Sequence, residues 1–434
     1  MVAERLPRHE IADDELAPSR SLSESSQRFW LLLLLFVAML ISYAHRSALS
    51  VAVGARSSSM SADLQLSEAG IGLLLSGFFW IYAFMQLPAG WLSDRFGVKR
   101  AYSFGFLFWS LTSALTGFVN SFATLLGVRI ALGAGQAISF PASSRAVANW
   151  FPQRERGTVT GVYLTGVRLG TALISLVGTL FLARYSWKLF FIVISLLPLI
   201  WLLPWWMFLN RWETSAVSRT KDDSKQISFW NSLALLKQRS VFGIFLGYFA
   251  YDYAWVVFIT WLPRYLTKER GFTDNEMAIY SAAPFLIMSA IIIASGLLSD
   301  WLVRNGREER LVRKILIIVG LGVGCLIVPA GIVADKMTAV GLLTISLCGL
   351  GICSPNTWTL TQAVCHKKIV GSVSGIQNFG GNIGGILAPA LTGFIVHATN
   401  SFALALALVG VVLVMGMLAY WFLIYERVGI GEET

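Results

Sequence analysis

The chain has 434 residues, of which 56% are hydrophobic and only 13% charged, with a mean hydropathy of +0.66 and a formal net charge of +10. A soluble core cannot hide that much apolar surface, so a water-soluble globular protein is excluded and the bilayer is the expected solvent. The positive charge could suggest nucleic acid, and its placement along the chain has to decide.

Residues 1–28 are polar and carry Glu4, Glu10, Asp13, Asp14, Glu15 and Glu24; they lack the basic start and short apolar run of a cleavable signal and read as a cytoplasmic tail. Twelve apolar stretches long enough to cross about 30 Å of hydrocarbon as helix follow. In a first bundle, residues 29–209, they are Phe29-Val53, Ser67-Leu92, Ala101-Val119, Ala123-Ala148, Gly157-Ala183 and Trp187-Leu209. Residues 210–239 form the one long polar interval, centred on Lys221-Asp-Asp-Ser-Lys225, and read as a cytoplasmic linker. A second bundle, residues 240–425, holds Val241-Tyr265, Asn275-Trp301, Leu311-Val333, Ala339-Val364, Gly371-Val396 and Phe402-Ile424, and residues 426–434 are a short cytoplasmic tail. Cys325, Cys348, Cys353 and Cys365 fall in or at the end of spans, without metal-ligand or disulfide spacing, and read as packing residues.

With both termini inside, 23 of the 34 Lys and Arg fall in cytoplasmic segments, 7 in external loops and 4 within spans. That bias is the positive-inside pattern, so the excess charge sets topology and meets anionic headgroups rather than nucleic acid.

The two bundles repeat each other. Gly157-Thr-Val-Thr-Gly161 matches Gly371-Ser-Val-Ser-Gly375 at an offset of 214, and Gly166 and Gly170 then fall on Gly380 and Gly384. Gly90-Trp-Leu-Ser-Asp94 resembles Gly296-Leu-Leu-Ser-Asp300 at an offset of 206. Parallel six-helix repeats with a midplane site between them are the plan of major facilitator transporters. The stretch Gly90-Trp-Leu-Ser-Asp-Arg-Phe-Gly-Val-Lys-Arg100 resembles that superfamily's loop between helices 2 and 3. Its helix end turns tightly, and Asp94, Arg95, Lys99 and Arg100, with Gly90 and Gly97 shaping the loop and Asp300 on the matching one, are expected to make breakable gate contacts between the halves.

Further segments narrow the resemblance. They are Tyr43-Ala-His-Arg-Ser-Ala-Leu-Ser-Val-Ala52, Arg129-Ile-Ala-Leu-Gly-Ala-Gly-Gln136, Trp150-Phe-Pro-Gln-Arg-Glu-Arg156, Thr260-Trp-Leu-Pro-Arg-Tyr-Leu266 and Gln377-Asn-Phe-Gly-Gly-Asn-Ile-Gly-Gly385. Together they are similar to the anion:cation symporter family, whose members include bacterial galactonate, glucarate, hexuronate and tartrate permeases and animal vesicular glutamate and sialic acid carriers. The resemblance implies an all-α membrane protein of the bacterial inner membrane that moves a small organic anion, commonly with protons, as a monomer without cofactor or metal.

Independently of family, a charged group at bilayer depth is costly and marks a cavity or a partner. Arg46, Arg129, Arg168 and Asp252 lie within spans, three cations against one carboxylate, and arginine's planar fork suits a carboxylate ligand. Helical spacing lets Tyr43 share a face with Arg46, and Gln136 with Arg129. Tyr82, Trp255, Trp358, Gln362, Asn378 and Asn382 are the further candidate substrate contacts. The sequence departs from the resembled family at two positions: His45 stands where its sugar-acid permeases have aspartate, and Gln136 where they have glutamate. Proton coupling is therefore expected on His45 or Asp252. Asp252 could pair with Arg168, and it follows Arg46 by 206 residues, which suggests pseudo-symmetric places on helices 1 and 7.

An uncoupled facilitator or an anion exchanger on the same fold stays open, as does a transporter-like sensor. An enzyme is not expected: no nucleophile, base and orienting group recur together, and no phosphate-binding glycine loop joins a strand to a helix.

Overall fold

The computed structural model describes residues 22–151, 153–209, 234–365 and 370–424, and these are all-α, with no β-strand among the described residues. Eleven helices are long and apolar enough to cross a membrane: α1 (Gln27–Gly54), α2 (Glu68–Gln86), α4 (Phe122–Val147), α5 (Val159–Leu182), α6 (Trp187–Phe208), α7 (Arg239–Glu269), α8 (Asp274–Arg304), α9 (Glu309–Ile332), α10 (Lys336–Val364), α11 (Val373–Thr399) and α12 (Ala403–Leu423). The twelfth expected span is α3, residues 98–115, which follows α2 without an intervening loop, the joint being a break at Gly97 (φ 79°, ψ 156°) that a side chain would strain. Helical structure extends back to Leu22, into the expected tail. Of the expected linker, residues 210–233 lie outside the described residues, as do 1–21 and 425–434.

Apolar side chains sort by solvent. Phe104, Phe108 and Leu111 of α3, Ile200, Leu203 and Met207 of α6, and Val411, Met415 and Leu418 of α12 are exposed, as a lipid-facing belt requires. Opposite that belt, Tyr102, Phe106, Trp109, Trp201 and Trp205 interlock between α3 and α6, with Phe106 stacked on Trp201 at 4.5 Å between centroids.

Close helix approach within each half depends on the repeated glycines. A Cβ on Gly166 or Gly170 would sit 2.6 Å from the Phe36 carbonyl oxygen or 2.2 Å from that of Leu40, so α5 lies backbone to backbone on α1. In the second half, Gly380 and Gly384 bring α11 equally close to the carbonyls of Phe245 and Phe249 on α7, at 2.7 and 2.9 Å. The two packings superpose α5 on α11 at the offset of 214, and α1 on α7 at 209.

The halves meet along α1–α7, α2–α11 and α5–α8. The α2–α11 seam is long. It runs from Gly72 against the Pro389 carbonyl, through Ser76 Oγ donating to the Ile386 carbonyl (2.7 Å), to Asn378 Nδ2 donating to Gln86 Oε1 (2.6 Å).

The end where α1 stops and α2 starts is shut. Glu68 accepts from Arg264 Nε (2.7 Å), Arg264 Nη2 (2.6 Å) and Lys268 Nζ (2.8 Å), while Arg264 Nη1 caps the Val53 carbonyl. Asp274 accepts from the backbone N–H groups of Arg56 and Ser57 (2.7 and 2.8 Å), and Ser50 Oγ donates to the Thr260 carbonyl. Glu68 is 7% exposed, so removing its charge leaves Arg264, which is largely buried, without its counter-ion. Glu68→Gln should therefore loosen this end. A cysteine at Ser50, in a background without the four native cysteines, should react with a water-soluble maleimide about tenfold faster in the Gln variant, the factor that ~1.4 kcal/mol carries. Equal rates would show that the closure does not depend on Glu68.

Candidate functional site

Arg46 lies about midway along the seam, 6% exposed, and no carboxylate pairs with it among the described residues. Its guanidinium donates from Nη1 to the Tyr43 hydroxyl (3.1 Å) and from Nε to Gln136 Oε1 (3.4 Å); Nη2 is buried without a partner. Aromatic rings enclose it: Tyr43 and Phe78 with centroids at 4.3 Å, Tyr82 at 4.7 Å and Phe79 at 5.8 Å. Desolvated cation–π contacts are worth about 2 kcal/mol, so the rings hold the charge without cancelling it. Gln136, fully buried, is fixed by donating from Nε2 to the Ser42 carbonyl (2.9 Å), which turns its oxygen toward Arg46.

Arg168, partly exposed on α5, reaches across the seam. Its Nη2 donates to the Tyr251 hydroxyl on α7 and to Ser354 Oγ on α10, both at 3.3 Å, and its guanidinium lies 4.3 Å from the Trp255 ring centroid. Nε is buried without a partner. Asp252 lies within electrostatic reach of both Arg46 and Arg168, yet no ion pair within 4.0 Å joins it to either among the described residues. The expected Arg168–Asp252 pair is thus absent, because Arg168 is turned toward Tyr251 and Ser354 instead. The cluster is completed by Tyr248, packed on Tyr251 (5.5 Å) and on Trp358 (5.4 Å), and by Gly381, whose lack of a side chain lets α11 pack directly against Tyr248 and Asp252.

The glycine packing moves one expectation. At the offset of 209, Arg46 corresponds to Trp255 and Asp252 to Tyr43, so Arg46 and Asp252 are one helical turn from pseudo-symmetry rather than equivalent. The offset of 206 belongs to the α2 and α8 loops; the shorter connection in the second half shifts α7 by a turn relative to it.

Other expected residues disperse. Arg129, 3% exposed, donates from Nε to the Leu74 carbonyl (3.2 Å) and is separated from Arg46 by Phe78, whose ring centroid is 5.5 Å from it. His45 faces away from the cavity, its Nε2 donating to the Ile194 carbonyl on α6 (2.8 Å) and its Nδ1 buried unpartnered. Asn382 donates to the Asn378 carbonyl (3.0 Å) and Asn378 to Gln86. Ser354, Trp358 and Gln362 follow one face of α10 at four-residue spacing, and Gln362 is exposed.

Of the expected gate residues, Asp300 pairs with Arg313 at 2.8 Å inside its own half. Lys99 Nζ lies 4.0 Å from the Trp206 ring centroid and Arg95 Cζ 5.6 Å from that of Phe96, while Arg100 is exposed. The side chain of Asp94 and the surroundings of Gly90 lie outside the described residues.

Sequence reasoning missed Gln86, Phe78, Phe79, Tyr251 and Ser354. Gln86 is four residues beyond Tyr82 and could have been found by spacing. The two phenylalanines could not, because an aromatic in a span is ordinarily packing.

Two six-helix bundles closed at one end, with unneutralised cations at their seam, define a membrane transporter of alternating-access type. The chain belongs to the Major Facilitator Superfamily, whose sequence profile matches residues 31–389. It is 31% identical to the probable galactarate/D-glucarate transporter of Escherichia coli strain K12, over 92% of this chain and 94% of that one. It is 29% identical to the D-galactonate transporter of Escherichia coli O6:H1, over 95% and 99%. In fold it is similar to a bacterial homologue of the human lysosomal transporter Spinster in an inward-facing, unoccupied conformation, with a TM-score of 0.75 and 18% identity over 91% of this chain and 96% of that one. These relatives are transporters and not enzymes.

His45, bonded to α6, should behave as a packing residue. His45→Gln should lower the melting temperature by a few degrees without moving the pH profile of transport, and a displaced profile would return His45 to the coupling machinery.

Proposed function

We propose that the protein carries a small organic anion of the sugar-acid type across the bacterial inner membrane by alternating access, together with a proton. The observation that carries this reading is charge. Arg46 and Arg168 are held at the seam by neutral partners only, and Asp252 is the one nearby carboxylate. A desolvated cation with neutral partners binds an anion because the alternative is an uncompensated charge in a low-dielectric place.

With both termini cytoplasmic, the closed end at Glu68, Arg264 and Asp274 is external, and the exposed Gln362 on α10 lies toward the cytoplasmic side. The external cluster must then break and reform in each cycle. Asp252 is the candidate proton site: neutral, it leaves both arginines to the ligand; ionised, it offsets one of them once the ligand has left. Arg46, Tyr43, Tyr82 and Gln136 form one wall, and Arg168, Trp255, Trp358, Asn378 and Asn382 the other, with Arg129 behind Phe78 on the external side.

Uptake of D-galactonate, D-glucarate and D-galacturonate into proteoliposomes at two pH values tests the reading. Arg46→Gln should weaken binding of every accepted anion by tenfold or more, as loss of a charge-assisted pair requires; unaltered binding would remove Arg46 from the site.

A second reading has one observation in its favour: neither Gln136 nor the cavity-averted His45 can take up the family's usual protons, which leaves an exchanger or facilitator possible if Asp252 is only a counter-ion. The wild type separates the two: accumulation driven by a pH gradient supports proton coupling, whereas counterflow without such accumulation favours the second reading. Asp252→Asn should abolish the pH-driven accumulation while counterflow continues, and retained pH-driven accumulation would rule out Asp252 as the essential proton site.

A further inference from the structure

The organic-anion reading leaves open how many charges the ligand carries, and the two arginines answer that in different ways. Arg46 and Arg168 do not converge on one point. Arg46 is pinned toward α2 and α4 by Gln136 and by the Phe78 and Tyr82 rings, whereas Arg168 is drawn toward α7 and α10 by Tyr251, Ser354 and Trp255. Each keeps one buried nitrogen without a partner, Nη2 on Arg46 and Nε on Arg168. Both nevertheless act on the same groups, since Tyr43 and Asp252 each lie within electrostatic reach of the two guanidiniums. They are therefore two separate posts around one shared set of groups.

The contacts of Arg168 are not those of a structural arginine. Hydroxyl acceptors at 3.3 Å are beyond the usual N–H···O range, and neither hydroxyl neutralises the guanidinium. An arginine kept merely to span the seam would be matched by a carboxylate, as Arg264 is by Glu68 at 2.6 Å and Arg313 by Asp300 at 2.8 Å. The group is also partly exposed, so a ligand can reach it. Charge balance follows the same division: two posts and a neutral Asp252 are matched by a dianion, whereas a monoanion leaves one post uncompensated unless Asp252 is ionised.

Resting on the organic-anion reading, we infer that Arg168 is the post for a second anionic group and that the preferred substrate is a dianion, such as a dicarboxylic sugar acid, bridged between Arg46 and Arg168. Tyr251 and Ser354 orient the second post and exchange their hydrogen bonds for the ligand's oxygens. Because Arg46 rests on the first half and Arg168 leans on the second, a two-ended ligand also ties the halves together in a way that a one-ended ligand does not.

The test compares two six-carbon acids of the same configuration that differ in one carboxylate, galactarate and D-galactonate, by equilibrium binding to the purified full-length protein. The wild type should bind galactarate at least tenfold more tightly than galactonate. Arg168→Gln should collapse that ratio by tenfold or more, and Arg168→Lys should restore part of it by returning the charge without the fork. A wild-type ratio near one, or a ratio unchanged by Arg168→Gln, overturns the inference while leaving the organic-anion reading intact. Absence of binding for both acids and for galacturonate overturns that reading itself and the inference with it. Should Arg168→Gln not fold, the wild-type ratio and the Lys variant decide alone.

Discussion

Most of what is particular to this protein depends on cations placed where water is scarce and no carboxylate answers them. A guanidinium at the centre of a membrane bundle is tolerated because its protons are directed to hydroxyls, an amide oxygen and aromatic faces. Around Arg46 all three occur: Tyr43, Gln136 and a cage of four rings. These partners fix position and leave charge untouched. The architecture around them is arranged to keep that condition, with α5 pressed onto α1 and α11 onto α7 through glycine so that the charged faces meet across a narrow seam.

The contrast with the ion pairs elsewhere in the protein shows that the lack of counter-ions is local. Arg264, Lys268 and Arg313 are all matched by carboxylates at 2.6 to 2.8 Å. On α7 and α9 the fold supplies the opposite charge; around Arg46 and Arg168 no ion pair within 4.0 Å is made among the described residues.

Much of this was legible in the chain itself. Twelve spans, the duplication and the set of intramembrane charges follow from hydropathy, from the matched glycine motifs and from the rarity of arginine in lipid. The near-contiguity of α2 and α3 was not legible, because a glycine with positive φ looks like any other in a loop of glycines. The place of Asp252 was misread by one turn, since an offset measured between loops need not hold for the helices on either side of them. His45 shows a further limit: spacing puts it beside Arg46 in sequence, but adjacent residues on a helix point about 100° apart, and only packing tells which of two neighbours faces the cavity. Partner choice was likewise hidden. Arg168 met hydroxyls on two other helices rather than the one carboxylate in reach, which no periodicity encodes.

The long contact between α2 and α11 bears on how such a carrier adapts. It is made of glycine approaches, Gly72 with Gly393 at one end and Gly385 on the Phe79 ring further along, and single hydrogen bonds, Ser76 to Ile386 and Asn378 to Gln86, with no ion pair along it among the described residues. Under the proposed reading, speed of turnover and choice of cargo are written in separate residues. A lineage that needs a faster or slower carrier can alter the carboxylate cluster at the mouth, and one that meets a new nutrient can alter the arginines and their aromatic supports, with neither change undoing the other.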